Sequence, residues 1–280
     1  MKKQLLTFLT MLGLCSTLMA SPQSDSVPRS IYLVLGGGLN KTSVNETLNT
    51  SLSYSGTTPG FSVDFNATTR KMYFSLRNTF SGGYISPYQA TSDMNNRMRS
   101  FYVNVNASTQ WLLYSKPENK LFTYLGPMIS GKLGARVKDS EVGNSGLTYN
   151  FALSAGIAAK VDKYLTIDHF FSRPTKEHNF KLGFEISCPL LSKVWTQPYI
   201  GMPETMVQEK GGFIDPTCNY TGYFSNYTNI QMDLSLAYIL RNKNAIGISY
   251  LFDFNSIKPK VNPSKTMNQM VGLKLHYNFK

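Results

Sequence analysis

From Val271 to Phe279 apolar and polar residues alternate without a break: Val271, Leu273, Leu275, Tyr277 and Phe279 against Gly272, Lys274, His276 and Asn278. A strand turns successive side chains to opposite faces, so this run predicts a strand with one apolar and one polar face. The same period of two recurs along the chain. Gly60–Ala67 sets Phe61, Val63 and Phe65 against Ser62, Asp64 and Asn66, and Met72–Ser81 sets Met72, Phe74, Leu76 and Phe80 against Tyr73, Ser75, Arg77 and Thr79. Phe101–Leu113, Leu147–Ala159, Asn179–Cys188, Ile230–Leu240 and Ala245–Phe254 follow suit, with fainter versions at Ile31–Leu39, Leu121–Val137 and Tyr164–Ser172.

These segments match the ~9–11 residues that cross a bilayer as a tilted strand. Their polar faces are rich in Ser, Thr, Gly and Asn, which suits the inside of a barrel. Trp111, Tyr114, Tyr149, Tyr238, Tyr250, Tyr277 and Phe279 fall near segment ends, where aromatic girdles form at membrane interfaces. A soluble sandwich would have shorter strands.

The connections alternate in length. Short ones fall at Thr68–Arg70, Ser115–Asn119, Val161–Lys163 and Arg241–Asn244, and long ones at Asn40–Thr57, Gly82–Met98, Arg136–Gly146, Gly201–Asn229 and Ser256–Met267. Outer-membrane barrels pair short periplasmic turns with long external loops. Keeping that alternation throughout requires one more strand near Val194–Met202, after a turn at Pro189–Lys193, which gives about twelve strands. Because Pro198 interrupts the added strand, ten is the alternative. The expected fold is all-β, a single antiparallel transmembrane up-and-down barrel.

The amino terminus supports export. Lys2 and Lys3 precede an apolar stretch from Leu5 to Met19, then Ala20 and a polar Ser21-Pro22-Gln23, which reads as a signal peptide over 1–20. Residues 21–29 would then be a short periplasmic segment and 30–280 the barrel. The apolar stretch is shorter than the ~20 residues of a spanning helix, and no later segment approaches that length.

Charged residues make up only 16% of the chain, below the ~25% usual for soluble domains. The net charge of +12 is dispersed, without the runs of Lys and Arg interleaved with aromatics that would indicate nucleic-acid binding. Once Cys15 leaves with the signal, Cys188 and Cys218 are too few for a disulfide scaffold. With Cys188 assigned to the periplasmic end of a strand and Cys218 to an external loop, the two are expected not to pair.

The signal peptide, the ladder of amphipathic strands and the ending in Phe279 followed only by Lys280 resemble a Gram-negative outer-membrane β-barrel protein. The resemblance implies residence in the outer membrane, contact with its lipid and lipopolysaccharide, and recognition of the last strand by the barrel-assembly machinery. Outer-membrane hydrolases of this class carry a His and a Ser two residues apart on one strand face, so that imidazole can deprotonate the hydroxyl. Here His169 is followed two residues on by Phe171, with Ser172 on the opposite face. No catalytic residue, metal site or cofactor is expected.

Charges on the polar faces are the candidate site: Asp64, Arg77, Lys132, Asp168, Lys181, Glu185, Asp233, Asp253 and Lys274. Asp168 is expected near Lys181 across a hairpin at Arg173–Glu177, and Asp253 near Lys274. Lining water, they would set a transverse field that screens solutes by charge; paired in a narrow interior, they would plug it. The first reading makes the chain a small passive channel with a mixed-charge lumen. The alternative is a non-conducting structural or surface-binding barrel acting through its loops, where Phe213, Tyr220, Tyr223 and Phe224 would make external contacts.

Overall fold

The computed structural model describes residues 29–46, 53–88, 97–138, 146–167, 178–196, 219–223, 225–258 and 263–279. They form eleven strands: β1 (Ser30–Glu46), β2 (Ser53–Thr68), β3 (Met72–Pro87), β4 (Met98–Lys116), β5 (Leu121–Lys138), β6 (Gly146–Ile167), β7 (His178–Thr196), β8 (Asn219–Tyr223), β9 (Tyr227–Ile239), β10 (Ala245–Ile257) and β11 (Ser264–Asn278). Ten of them close an antiparallel barrel in the order β1 to β7, β9, β10, β11, sealed by β11 against β1. The short β8 stands outside this ring, continuing β9's place beside the far end of β7 over Leu191–Trp195.

The ring has ten strands, the alternative count, and not twelve, because two expected turns are strand interior. Val161–Lys163 lies within β6, where Lys160 and Asp162 point inward and Lys163 outward, so the alternation continues through charges that had suggested a turn. Pro189 sits in β7 opposite Gly156, next to a bulge where Ala155 pairs with Leu191 and Leu190 is the extra residue. A bulge tolerates proline and reverses the inward–outward parity, which imitates a strand end in the sequence. The strand expected over Val194–Met202 is therefore the last turnless stretch of β7 to Thr196, with the rest outside the described residues. Several long loops are also shorter than expected, since β1 runs to Glu46 and β2 begins at Ser53.

The stagger fixes the tilt. Stepping from Val63 through paired residues leads by way of Asn78, Val105, Gly131 and Leu153 to Lys193, and by way of Leu35, Leu275, Ile246 and Tyr238 to Phe180. These ends lie 13 positions apart on β7 (193 minus 180), one of them the bulge residue. Ten strands about 4.7 Å apart with a rise of about 3.3 Å per residue then tilt by roughly 40°.

The outer face carries a continuous apolar belt. On the seam its lower edge is Ile31, Ala67 and Phe279, its upper edge Leu39, Pro59 and Val271, and the next outward residues are Lys41, Thr57 and Gln269. Leu39 and Leu273 are 66% and 63% exposed, among many such side chains. A contiguous apolar surface of this extent needs an apolar partner. At that tilt, Ile31 to Leu39 spans about 20 Å, close to the ~25 Å of a membrane band. Glycine lets the seam close: a Cβ on Gly38 would collide with the Val271 carbonyl of β11.

Cys188 is thus not at a strand end but near the middle of β7, on the outward side opposite Ile157 and half-buried. Cys218 lies outside the described residues, so the expected lack of pairing is untouched by the fold. In a Cys218→Ser background reconstituted in vesicles, a charged maleimide should leave Cys188 unlabelled until the barrel is unfolded. Rapid labelling of the folded protein would place Cys188 in water and contradict the belt.

Candidate functional site

Every second residue of each strand points into the barrel, and the inward set is mostly polar: Asn40, Ser62, Ser75, Asn104, Asn106, Gln110, Ser130, Ser187 and Gln231 are all buried. The charged residues lie among them in a stack of linked groups. At its centre Arg77 of β3 reaches across to Glu185 of β7 at 3.0 Å and Asp233 of β9 at 2.9 Å, with Asp64 of β2 at 3.9 Å. Lys274 of β11 completes the cluster, 3.0 Å from Asp233 and 3.4 Å from Asp64. Gln110 donates to Glu185 at 3.2 Å. Three carboxylates are thus met by two cations and the Gln110 amide, the pairing that buried charge requires.

Toward the end where β1 begins and β11 finishes, Lys181 lies 3.0 Å from Asp162, and Lys160 lies 3.7 Å from Asp162 while its ammonium sits 3.7 Å from the centre of the Tyr73 ring. The lower interior is packed by Tyr73, Phe122 and Tyr124 with Leu112 and Tyr164 against them. Toward the loop end, Lys132 binds both carboxylate oxygens of Asp253 at 2.6 and 2.7 Å, and Tyr102 and Asn229 donate to the same carboxylate. Higher still, Arg136 pairs with Glu46 at 3.0 Å and donates to Thr266, while Thr148 donates to Glu46. Two apolar clusters fill the remaining upper interior, Val44–Tyr54–Ile85–Met98 and Ala152–Val194–Tyr227–Ile257.

Among the described residues the charged stack leaves small spaces. A cavity of about 60 Å³ is bounded by Asp64, Arg77, Lys160, Asp162, Lys181 and His276, and one of about 30 Å³ lies on the other side of Arg77 against Tyr102, Asn104, Gln231 and Asp253. Each has room for a few water molecules. Asp64 Oδ1, Asp162 Oδ1, Asp233 Oδ1, Arg77 Nε and His276 Nε2 have no hydrogen-bond partner among the described residues, and all five residues border the larger cavity, so water there would complete their bonding.

The structure redistributes the expected partners. Asp64, Arg77, Lys132, Lys181, Glu185, Asp233, Asp253 and Lys274 all come into the interior, but Lys181 pairs with Asp162, and Asp168 falls outside the described residues. Asp253 meets Lys132 across the barrel and not Lys274, because Asp253 pairs with Asn268 and Lys274 with Gly247, six residues away along the strand. Lys160, Asp162, Arg136 and Glu46 also belong to the stack, although the sequence pattern puts Asp162, Arg136 and Glu46 in turns and loops and ends a strand just before Lys160; period-two alternation continuing through them is the signal that marks them.

The expected loop contacts also move. Tyr220 lies in β8 opposite the inward Val194 and packs on the upper apolar cluster, where burial pushes its hydroxyl pKa up. Tyr223 is exposed opposite Leu191, and Phe213 and Phe224 lie outside the described residues. Of the histidines, His178 bonds Tyr238 at 2.9 Å near the end where β1 begins, His276 faces inward beside Tyr32, and His169 is outside the described residues.

No family model and no curated protein matches the chain. Among solved structures it is similar to the outer membrane protease OmpT from Escherichia coli, at 9% identity and a TM-score of 0.53, covering 91% of this chain and 99% of that one. The fold is that of an outer-membrane β-barrel. The transport unit of the E. coli autotransporter AIDA-I also aligns, at 12% identity and a TM-score of 0.40 over 96% and 97% of the two chains. At such identities the likeness concerns architecture, and chemistry does not travel with it.

Proposed function

We propose that the chain is an integral outer-membrane barrel that is closed to solutes and works as a structural or surface-binding protein through its loop end. The observation that carries this reading is the interior stack: cross-barrel ion pairs at 2.6–3.0 Å between aromatic packing below and apolar packing above, with cavities of only about 60 and 30 Å³. A transverse field at a pore constriction needs charges separated across water, whereas these groups are in contact and neutralise one another. The exposed apolar belt and its width support placement in a bilayer, and the shared fold with an outer-membrane protein agrees with it.

The orientation follows from the length rule for outer-membrane barrels, with the turns around Glu118 and Lys243 periplasmic and the β10–β11 end external. Cysteines introduced at Glu118 and at Lys265, both exposed, in a Cys188→Ser/Cys218→Ser background, test it in intact cells. An impermeant maleimide should label the Lys265 position and spare the Glu118 position until the outer membrane is permeabilised. The opposite pattern would invert the topology, and recovery of the protein in the soluble fraction would end the membrane reading.

A further inference from the structure

The outer surface is not uniformly convex. A groove of about 840 Å³ crosses β3 to β8 at right angles to the strands, and nearly all its lining is apolar except at one end. Its floor exists because small residues zigzag across neighbouring strands: Ala107 on β4, Gly131 on β5 and Ala155 on β6. Larger outward side chains such as Leu76, Ile129 and Leu153 stand beside them. With strands tilted roughly 40°, a path perpendicular to them climbs the barrel wall. The groove therefore starts at Leu76, in the middle of the belt, and rises to Lys193 on β7 and Thr221 on β8 at its loop-end edge.

Lys193 is exposed on the outward face, where sequence reading had set a periplasmic turn, and it has no ion-pair partner among the described residues. An unpaired ammonium at the edge of an apolar belt, at the mouth of an apolar trough, matches a molecule with an anionic head and a hydrocarbon tail. We propose that this groove is a specific site for a lipid A-type glycolipid of the outer leaflet, one acyl chain lying along Ala107, Gly131 and Ala155 and a phosphate on Lys193 with Thr221 as hydrogen-bond donor. The proposal rests on the membrane reading above and on its orientation, which together put the mouth of the groove at the outer-leaflet interface.

Two substitutions separate tail from head. A side chain at Gly131 would fill the trough, and the first atom of one meets only Leu153 Cδ2 at 3.5 Å, ordinary contact, so Gly131→Leu is compatible with the fold. Lys193→Gln removes the charge at an exposed position. The purified full-length barrel in nanodiscs or detergent is titrated with bisphosphorylated lipid A, with its dephosphorylated form and with phosphatidylglycerol, and read by native mass spectrometry. Wild type should hold one bisphosphorylated lipid A. Lys193→Gln should reduce that occupancy about fivefold, the effect of one basic side chain near an anionic membrane surface, and Gly131→Leu should reduce it for all three lipids.

Leu273→Phe, on the opposite wall of the belt, serves as the control and should change nothing. Equal retention by wild type and both variants, or tighter retention of phosphatidylglycerol than of lipid A, would overturn the proposal. Loss of a dimer peak in Gly131→Leu without loss of lipid would assign the groove to a second copy of the chain and overturn it equally. Failure of the wild type to enter nanodiscs would refute the membrane reading itself, a result distinct from loss of one lipid.

Discussion

Replacing Arg77 by Met is expected to cost the barrel about 3–5 kcal/mol of unfolding free energy, the range found when one partner of a buried ion pair is removed. Among the described residues Arg77 alone touches both Glu185 and Asp233 while also approaching Asp64. Without it Lys274 still reaches Asp64 and Asp233, but among those residues Glu185 keeps only the Gln110 amide. A buried carboxylate with one neutral donor is costly. Adding Glu185→Met to Arg77→Met removes the stranded charge, so the double variant should be more stable than the single one although it has lost more contacts.

Arg77→Lys should rescue only in part, since a single ammonium lacks the planar fork by which Nη2 of the guanidinium meets Glu185 and Asp233 while Nε approaches Asp64. Urea unfolding from lipid vesicles, followed by the fluorescence of Trp111 and Trp195, gives all four stabilities. A single variant within about 1 kcal/mol of wild type, the size of an exposed pair, would mean that water reaches the cluster freely. So would a double variant less stable than the single one.

The strands were legible wherever two environments meet across the sheet. Val271–Asn278 sits in β11, Phe279 follows it directly, and each expected outward residue is exposed, because lipid on one side and a polar interior on the other impose opposite chemistry on alternate positions. The rule failed where inward and outward charges follow one another in a single run. Lys160 and Asp162 satisfy each other and Lys181 inside the barrel, yet in sequence the run Lys160–Lys163 has the polarity of a turn. It failed again at Pro189, where one added residue shifts the face that points inward.

Which charges face inward was readable from period two, but which ones touch was not. Cross-barrel partners such as Lys132 and Asp253 are separated by 121 positions and brought together by closure, stagger and tilt, none of which a local pattern encodes. Neighbouring strands gave the wrong guess for Asp253 and Lys274 because the pairing register offsets them by six residues. The upper polar and apolar packing, Arg136 with Glu46 and Tyr54 with Ile85, was missed because strands that continue beyond the membrane lose the apolar outer face that marks them.

The account stands on a barrel sealed from top to bottom, and single-channel recording in a planar bilayer tests that most directly. An ion crossing the interior would have to pass Lys132–Asp253, the Arg77–Glu185–Asp233–Lys274 cluster and the Tyr73–Phe122–Tyr124 packing in turn, through spaces of about 30 and 60 Å³. Each barrier requires desolvating the ion and breaking contacts between buried charges. The purified wild-type barrel, with insertion verified by its resistance to added protease, should therefore leave the bilayer at the baseline of protein-free membranes in 1 M KCl at neutral pH. Conductance steps of uniform size that vanish in a preparation lacking the protein would show an open lumen and contradict the account.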